Sequence, residues 1–346
     1  MEPNRAHKLI TGRGATAIYL ALNASCKNRE VIVPSNICYA AILPIYYSGN
    51  RPHFVDVEYP SGNISYRSAA SAINESTGAI IYPYMYGNVS EDIVAIRQLC
   101  HEKGVLLIED CASAMGARIN GVPVGEFGDY AVFSTGHAKN VDLNNGGILY
   151  TDLPVDKIEN DFQNLPVLNE EIVNKQSNFS KQYGTLRRSD NPEKVRELFE
   201  DREALKRQFL YRITDDGLLR QIDNCFSILT NESDAVRRKY DLFINNLPAY
   251  LIYNYSEGSF PWRFSILVDD AIIRKKIIEK LLSEKLFVSD WYPCIANAFG
   301  DNTNYPNARR MEREILNFSL RETEEDILKS CAIINTVLQG EKYEKN

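Results

Sequence analysis

The first half of the chain alternates short, continuously apolar segments with stretches of helical periodicity. The apolar segments are rich in β-branched and aromatic residues and occupy positions 31–35 (VIVPS), 53–57 (HFVDV), 79–84 (AIIYPY), 105–110 (VLLIED), 130–135 (YAVFST) and 146–152 (GGILYTD). Helical patterns lie between them, for example at 15–25 and 90–104. Several apolar segments lack the polar alternation of a half-exposed strand, which favours a sheet that is covered on both faces. This order of segments predicts an α/β fold with a mainly parallel sheet.

The second half of the chain has a different pattern. Residues 153–210 are charged and rich in helix formers, which predicts helices outside the sheet. A long helix is expected from about 231, followed by a strand at 262–269 and helices at 271–285 and 322–339. We therefore predict a large α/β domain at 1–230 and a small α+β domain at 231–346, with a frayed tail at 340–346.

Composition narrows the class of protein. The 346 residues include 39 Lys and Arg against 46 Asp and Glu, a net charge of −7, which argues against a nucleic-acid partner. No apolar run reaches the roughly 18 residues of a membrane span, and the first residues do not form a signal peptide. The seven cysteines are scattered without a CxxC motif and the four histidines do not cluster, so we expect no disulfide framework and no metal site. A reducing, cytoplasmic location fits this cysteine usage.

A glycine-containing segment before the first helix is a candidate phosphate site. In GRGATA (12–17), Gly14 and Ala15 allow close approach of the backbone, and Thr16 adds a hydroxyl. The dipole and free N–H groups of a helix start favour a phosphate there, although an ordinary loop is the alternative. The segment lacks a complete GxGxxG motif, and no apolar run long enough for a strand precedes it. A nicotinamide-binding fingerprint is therefore not predicted.

Three further candidates follow predicted strands, where an open α/β sheet binds its ligands. Asp110 ends VLLIED and could pair with a cationic ring nitrogen or simply cap the next turn, while Glu109 should point to the opposite side. Ser134 ends YAVFS and could bind a phosphate, and Lys139 follows in a loop, where a solvated charge is the alternative. His137 is a weaker candidate base. Residues 144–147 (NNGG) predict a tight turn before the next strand.

The order of these elements is more informative than any one of them. A phosphate-type helix start is followed by a strand ending in Asp, a strand ending in Ser, a Lys and a Gly pair. Pyridoxal 5'-phosphate (PLP) chemistry needs these groups: a lysine that forms a Schiff base, a carboxylate that keeps the pyridine nitrogen protonated, and a site for the phosphate. The sequence therefore predicts PLP as the cofactor.

These segments resemble the DegT/DnrJ/EryC1/StrS family of PLP-dependent aminotransferases, most of which act on nucleotide-linked sugars. VIVPSNICYAAILPIYYSGNRPHFVDVE resembles the strand, helix and FVDVD block of the family, and VLLIEDCASAMGA resembles VIEDAAQAHGA. VGEFGDYAVFSTGHAKN, followed by NNGG, resembles GTLGDIGCFSFYPTKN followed by GEGG. The resemblance extends from about residue 10 to 338, is dense over 31–152 and is thin over 153–230.

The resemblance implies roles for individual residues. Lys139 matches the lysine that forms the aldimine, Asp110 matches the partner of the pyridine nitrogen, and Ser134 matches a phosphate-binding serine. The segment that holds the phosphate in the family corresponds to Gly14, Ala15 and Thr16, with the threonine one place later than usual. The predicted catalytic residues are thus Lys139 and Asp110, and the predicted cofactor-binding residues are Gly14, Ala15, Thr16, Cys38, Tyr39, Asp110, Ser113, Ser134 and Lys139.

The sequence also departs from the family pattern. Ser113 stands where the family has Gln or His, and Cys38 stands where an aromatic residue stacks on the cofactor ring. Tyr39, Tyr84 and Tyr86 are the candidates to replace that aromatic residue. A segment that reaches the neighbouring subunit in the family is reduced to GLLRQID (217–223), in which Leu218 replaces an Asn that contacts phosphate.

What the resemblance implies for fold and function follows from these matches. It implies the type I fold of PLP-dependent transferases, as in aspartate aminotransferase, and a homodimer. It further implies an aminotransferase of polysaccharide or O-antigen biosynthesis that moves an amino group from glutamate or glutamine to a nucleotide-linked keto-deoxy sugar. The alternatives are a non-sugar keto substrate and a catalytically impaired PLP-binding homologue. Family members that dehydrate sugars carry a histidine in place of the lysine, so Lys139 argues against that reaction.

Overall fold

A computed structural model describes residues 1–189 and 191–341, so residues 342–346 of the predicted frayed tail lie outside the described residues. The strands within the described residues are β1 (His7–Thr11), β2 (Glu30–Pro34), β3 (Arg51–Val55), β4 (Thr77–Pro83), β5 (Leu106–Asp110), β6 (Arg118–Ile119), β7 (Val122–Pro123), β8 (Tyr130–Ser134), β9 (Gly147–Thr151), β10 (Phe264–Leu267) and β11 (Ile315–Phe318). The α-helices are α1 (Gly14–Ser25), α2 (Tyr39–Tyr47), α3 (Tyr66–Ala72), α4 (Asp92–Lys103), α5 (Asp156–Gln163), α6 (Glu170–Arg187), α7 (Pro192–Glu197), α8 (Arg202–Phe209), α9 (Asp216–Asp223), α10 (Cys225–Asn246), α11 (Ala271–Ser283), α12 (Pro306–Glu314) and α13 (Glu324–Gly340).

Seven strands form the main sheet in the order β1-β9-β8-β5-β4-β2-β3. Five neighbouring strands of this sheet run parallel, namely β8, β5, β4, β2 and β3. Strand β9 is antiparallel to β8, and β1 is antiparallel to β9. Successive residues of β2 enter opposite apolar layers, with Val31 and Val33 in one and Ile32 in the other. Helices cover both faces, and the predicted α/β fold with a mainly parallel sheet is confirmed.

The edge strand β1 corrects the sequence analysis, which expected no strand before GRGATA. Its residues HKLIT pair in register with β9, from His7 opposite Thr151 to Thr11 opposite Gly147. The segment is short and charged, and its first two residues are exposed. An edge strand has a hydrogen-bonded neighbour on one side only. The short segment HKLIT therefore becomes a strand because β9, which is distant in the sequence, pairs with it.

Helix α10 connects the main sheet to the C-terminal part of the chain. Its first residues, including Phe226 and Leu229, pack in the apolar layer beneath the main sheet. Its later residue Phe243 packs with Phe264 of β10 and Phe318 of β11. The predicted domain boundary at 230/231 therefore falls inside a continuous helix, between its two packing regions.

The C-terminal part is a two-stranded antiparallel sheet covered by helices. Strands β10 and β11 pair from Phe264 opposite Phe318 to Leu267 opposite Ile315. Helices α10, α11 and α13 bury one apolar cluster against this pair, which corresponds to the predicted α+β arrangement. Across residues 1–189 and 191–341, none of the helices combines the length and the apolar character that crossing a membrane requires.

Candidate active site

Predicted site residues meet at the carboxyl edge of the main sheet. Asp110 ends β5 and Ser134 ends β8, and these two strands are parallel neighbours. The start of α1 packs beside them: a Cβ added at Gly14 would lie only 3.4 Å from the Cβ of Ser134. Lys139 follows β8 in a loop, and all four residues line one cavity of about 390 Å³. This edge is where open α/β sheets bind ligands.

The first turn of α1 presents backbone N–H groups at this cavity. Arg13, which precedes the helix, is extended and makes no side-chain capping bond. The first N–H groups of a helix have no acceptor within it, and the helix dipole makes this end attractive to a phosphate. Gly14 and Ala15 line the cavity, whereas the buried Thr16 hydroxyl donates to the carbonyl of Phe209 at 2.9 Å. The Thr16 hydroxyl is thus engaged within the protein, and its contact with a phosphate stays a prediction.

The glycine pair before β9 makes this packing possible. Gly146 has a φ of +103°, in the region that favours glycine. A Cβ added at Gly147 would lie 2.3 Å from the carbonyl carbon of Arg13, a distance that no side chain tolerates. The segment predicted as a tight turn therefore also brings β9 directly against the start of α1.

Asp110 and Lys139 form an electrostatic pair inside the cavity. Asp110 is buried, and its Oδ1 accepts the N–H of Ala112 at 3.1 Å. Burial raises the pKa of Asp110, and the positive charge of Lys139 opposes this shift. Lys139 Nζ donates to Ser113 Oγ at 3.4 Å, and Ser113 Oγ lies 3.5 Å from the hydroxyl of Tyr292. A buried carboxylate at this position favours a cationic partner in the cavity.

Glu109, next to Asp110, has a structural role on the other side of β5. Its buried carboxylate accepts bonds from the Tyr84 hydroxyl and from the N–H groups of Gly125, Phe127 and Gly128. The predicted opposite orientation of the two neighbouring carboxylates is thus confirmed.

The loop that carries Lys139 is held from several sides. Ala138 has a φ of +60°, which is unfavourable for a residue with a Cβ. Its N–H donates to Asp142 Oδ2 at 2.7 Å, and its carbonyl accepts the indole N–H of Trp262. The carbonyl of Asn140 accepts a bond from Arg321 Nη2 at 2.8 Å. Residues of the C-terminal part therefore help to fix the direction of the lysine.

Replacing the indole of Trp262 is expected to loosen this loop. Trp262→Phe keeps an aromatic ring but removes the donor to the Ala138 carbonyl, so Lys139 should lose its fixed position. A single hydrogen bond is worth about 1 kcal/mol, so we expect amino transfer to slow about five- to tenfold. The rate of a single turnover with glutamate measures this effect. The control is Trp291→Phe, which alters the other tryptophan of the cavity, and an equal loss in both variants would contradict the role of Trp262.

Cys38 and Tyr39 lie at the start of α2 and line the cavity. Burial raises the pKa of the Cys38 thiol, while nearby Lys139 lowers it. The Tyr39 ring packs edge-on against Phe179 and Tyr183, with centroids 5.5 and 4.7 Å apart. Tyr39 therefore belongs to an aromatic cluster at the wall of the cavity.

The other two tyrosines considered as replacements lie elsewhere. Tyr84 donates to Glu109, and Tyr86 is fully buried between Tyr253 and Tyr292, with ring centroids 5.7 and 5.9 Å away. Trp262 is the aromatic residue beside the lysine, with its ring centroid 5.9 Å from Lys139 Nζ. The sequence analysis missed this residue.

The wall opposite the sheet comes from two regions that the sequence analysis did not assign to the site. Helix α6 contributes Tyr183 and Arg187, and the C-terminal part contributes Trp262, Arg263 and Tyr292. Arg187 pairs with Asp290 at 2.5 Å. Only one feature of the sequence could have indicated this wall. Both tryptophans of the chain occur in short segments that combine aromatic and polar residues, PWRF and DWYP.

His137, the weaker candidate base, lies at the edge of the cavity. The His137 side chain is exposed, with its Nδ1 3.5 Å from Asp142 Oδ2. In the part of the chain that the structure describes, no cluster of three or more His, Cys, Asp or Glu residues is arranged to hold a metal ion.

A comparison of sequences finds one family model that matches the first half of the chain. The sequence model of the DegT/DnrJ/EryC1/StrS aminotransferase family matches residues 4–171. This match covers just under half of the chain. The segment contains the α1 start, Asp110, Ser134 and Lys139, whereas most of α6 and all of the C-terminal wall lie beyond it. The predicted resemblance to this family is therefore confirmed over residues 4–171, which include these four elements of the cavity.

Curated relatives match a similar share of the chain. GDP-perosamine synthase of Vibrio cholerae is 36% identical over 155 residues, which cover 44% of this chain and 42% of that protein. UDP-N-acetyl-3-dehydro-alpha-D-glucosamine 3-aminotransferase of Acidithiobacillus ferrooxidans is 38% identical over 149 residues, which cover 42% of this chain and 40% of that protein. The matches thus span less than half the length of either relative.

The solved structures extend the likeness of fold to nearly the whole chain. GDP-4-keto-6-deoxy-D-mannose-3-dehydratase of E. coli, solved with hydrated PLP, superposes with a TM-score of 0.67 and 20% identity. The superposition covers 95% of this chain and 88% of that one. The predicted type I transferase fold is confirmed, including the C-terminal part.

Proposed function

We propose that this protein is a PLP-dependent aminotransferase that moves an amino group from glutamate or glutamine to the keto group of a nucleotide-linked keto-deoxy sugar. The observation that carries the proposal is the presence of Asp110, Lys139, Ser134 and the uncapped start of α1 in one cavity. Membership of an aminotransferase family over residues 4–171 supports it.

The residues of the cavity fit PLP at three points. The first-turn N–H groups of α1 and the Ser134 hydroxyl suit the phosphate. Asp110, whose pKa is raised by burial, suits a protonated ring nitrogen, because it is the one carboxylate among the described residues that line the cavity. Lys139 supplies a primary amine for the cofactor carbonyl. When bound, PLP withdraws electrons from the carbon atom that carries the reacting amino group.

Each residue then has a defined task. Lys139 would hold the cofactor before the reaction, and its amine would then take the proton from the α-carbon of the donor as general base and deliver it as general acid to the former carbonyl carbon of the cofactor. Asp110 keeps the proton on the ring nitrogen. Ser113 and Tyr292 orient the lysine amine through the Lys139–Ser113–Tyr292 contacts. Overall, the amino acid leaves as a 2-oxo acid and its amino group passes to the keto carbon of the acceptor.

The type of acceptor is proposed from the relatives. The names of both curated relatives describe enzymes of GDP- or UDP-linked amino sugars. The wall formed by α6 and residues 262–292 lies outside the family match, so the nucleotide and the aminated carbon are left open in this proposal. We further propose a homodimer, as in the family, working in the cytoplasm, which suits its seven free cysteines.

The visible absorption spectrum of the purified protein, incubated with PLP, tests the cofactor. We expect an absorption band that borohydride bleaches, with the pyridoxyl mass on the peptide that contains Lys139. Addition of glutamate to an unreduced sample should then produce pyridoxamine phosphate and 2-oxoglutarate.

Two results would contradict the proposal in different ways. Absence of both bound PLP and bound pyridoxamine phosphate after cofactor extraction would exclude the cofactor. Bound PLP that no amino donor converts would favour the catalytically impaired homologue, for which the replacements at Cys38 and Ser113 provide a physical reason.

A further inference from the structure

The carbonyl groups of three consecutive residues around Lys139 are bound by side chains of the C-terminal part. The carbonyl of Ala138 accepts the indole N–H of Trp262. Arg321 Nη2 donates to the carbonyl of Lys139 at 3.2 Å and to the carbonyl of Asn140 at 2.8 Å. The backbone on both sides of the lysine Cα is therefore tied to segments that lie far later in the chain.

Two of these carbonyls define the backbone conformation of the lysine. Because a peptide group is planar, a bound carbonyl holds the whole plane to which it belongs. The Ala138 carbonyl lies in the plane before the Cα of Lys139, and the Lys139 carbonyl lies in the plane after it. When both planes are held, φ and ψ of Lys139 are fixed, and so is the direction of its Cα–Cβ bond.

The loop needs this support because its own conformation is unfavourable. Ala138 has a φ of +60°, in the left-handed region that a residue with a Cβ seldom adopts. Within the loop, the N–H of Lys139 donates to the carbonyl of Gly136 at 3.2 Å. A strained backbone persists only where the surrounding structure holds it, and here the C-terminal part supplies three of the contacts.

Arg321 is suited to hold two neighbouring carbonyls. It lies in the turn between β11 and α13, where its own N–H donates to Ser319 Oγ at 3.1 Å. The preceding Leu320 is buried in the apolar cluster of the C-terminal part, so the turn is anchored. A terminal nitrogen of a guanidinium carries two N–H groups, which matches one donor to each carbonyl.

We propose that Arg321 is a positioning residue for Lys139, which fixes the peptide plane after the lysine while Trp262 fixes the plane before it. Because both planes are needed, loss of either donor should free the lysine side chain, and loss of the second donor should then add little. The effect on amino transfer rests on the proposed function, whereas the fixed loop does not.

Hydrogen–deuterium exchange of the purified protein, followed in the peptide that covers residues 136–141, tests the positioning without turnover. Arg321→Ala should exchange about tenfold faster there, since a hydrogen bond from a charged donor is a strong one. Arg321 is exposed, so its removal leaves no cavity in the core. Arg321→Lys keeps a charged N–H donor and should exchange only about threefold faster. The control Arg313→Ala, at an exposed arginine of α12, should exchange like the wild type.

The single turnover with glutamate separates positioning from substrate binding. For Arg321→Ala we expect the maximal rate to fall about tenfold and the half-saturating glutamate concentration to change less than about twofold, because the lysine rather than the donor is displaced. The double variant Trp262→Phe/Arg321→Ala should be at most about twofold slower than the slower single variant. Contacts that acted independently would instead multiply their losses, to about fifty- to a hundredfold.

Three results would overturn the proposal. Wild-type exchange in Arg321→Ala would show that the loop is fixed without this side chain. A raised half-saturating glutamate concentration with an unchanged maximal rate would assign Arg321 to the donor, and multiplied losses in the double variant would show two independent contacts. Faster exchange in Arg321→Ala of a protein that holds no PLP would support the positioning and reject the proposed function, so the two failures are distinguishable.

Discussion

Lys139→Ala is expected to abolish amino transfer, with a loss of at least about a thousandfold in the rate of the glutamate half-reaction. The variant loses both the primary amine that holds the cofactor and the base that moves the proton from the donor, and acid–base catalysis alone contributes about 10²- to 10⁴-fold. Formation of 2-oxoglutarate in a single turnover measures the loss. Peptide mapping after borohydride reduction should find no pyridoxyl group at this position.

Two variants make this result interpretable. Lys139→Arg retains the positive charge beside Asp110 but has no nucleophilic amine, so it should be as inactive as the alanine variant. Lys103→Ala changes an exposed lysine at the end of α4 and should behave like the wild type. Transamination by Lys139→Ala at close to the normal rate would show that another residue carries the chemistry.

Asp110→Asn should give the second largest effect. The amide has nearly the same shape as the carboxylate, but the cavity loses its negative charge and can no longer hold a proton on the ring nitrogen. A nearby carboxylate shifts the pKa of its cationic partner by about 1–3 units, so we expect a loss of about a hundredfold in the half-reaction. The expected companion effect is a lower PLP content after dialysis, measured by absorbance.

The comparison for this variant is Asp156→Asn, which neutralises an exposed aspartate in α5. It should retain PLP and rate, whereas Asp110→Asn should remain folded by circular dichroism and lose both. If Asp110→Asn kept its cofactor and its rate, Asp110 would be only a buried residue bonded to the N–H of Ala112.

Much of the cofactor side of the site was predictable from the sequence because it depends on local order. Parallel strands place their carboxyl ends at one edge, so strand-terminal Asp110 and Ser134 were expected to meet there. The N-terminal end of α1 was recognisable from GRGATA because a helix start also depends on local sequence. The alternation of neighbouring side chains along a strand also separated Asp110 from Glu109 correctly.

Other features depended on contacts between distant segments. Strand β1 exists because β9 pairs with it, and the Thr16 hydroxyl donates to the carbonyl of Phe209, almost two hundred residues later. Trp262 approaches Lys139 through the Ala138 carbonyl, a contact that no local pattern encodes.

The sequence by itself determined the α/β fold and the family resemblance over residues 4–171, and it predicted residues for the cofactor, because these follow from periodicity and from the order of short motifs. The tertiary structure decided the opposite wall, where α6 and residues 262–292 meet above Lys139. It alone placed the guanidinium of Arg263 against the ring of Trp262 in that wall, because such packing depends on which distant side chains fold against a residue.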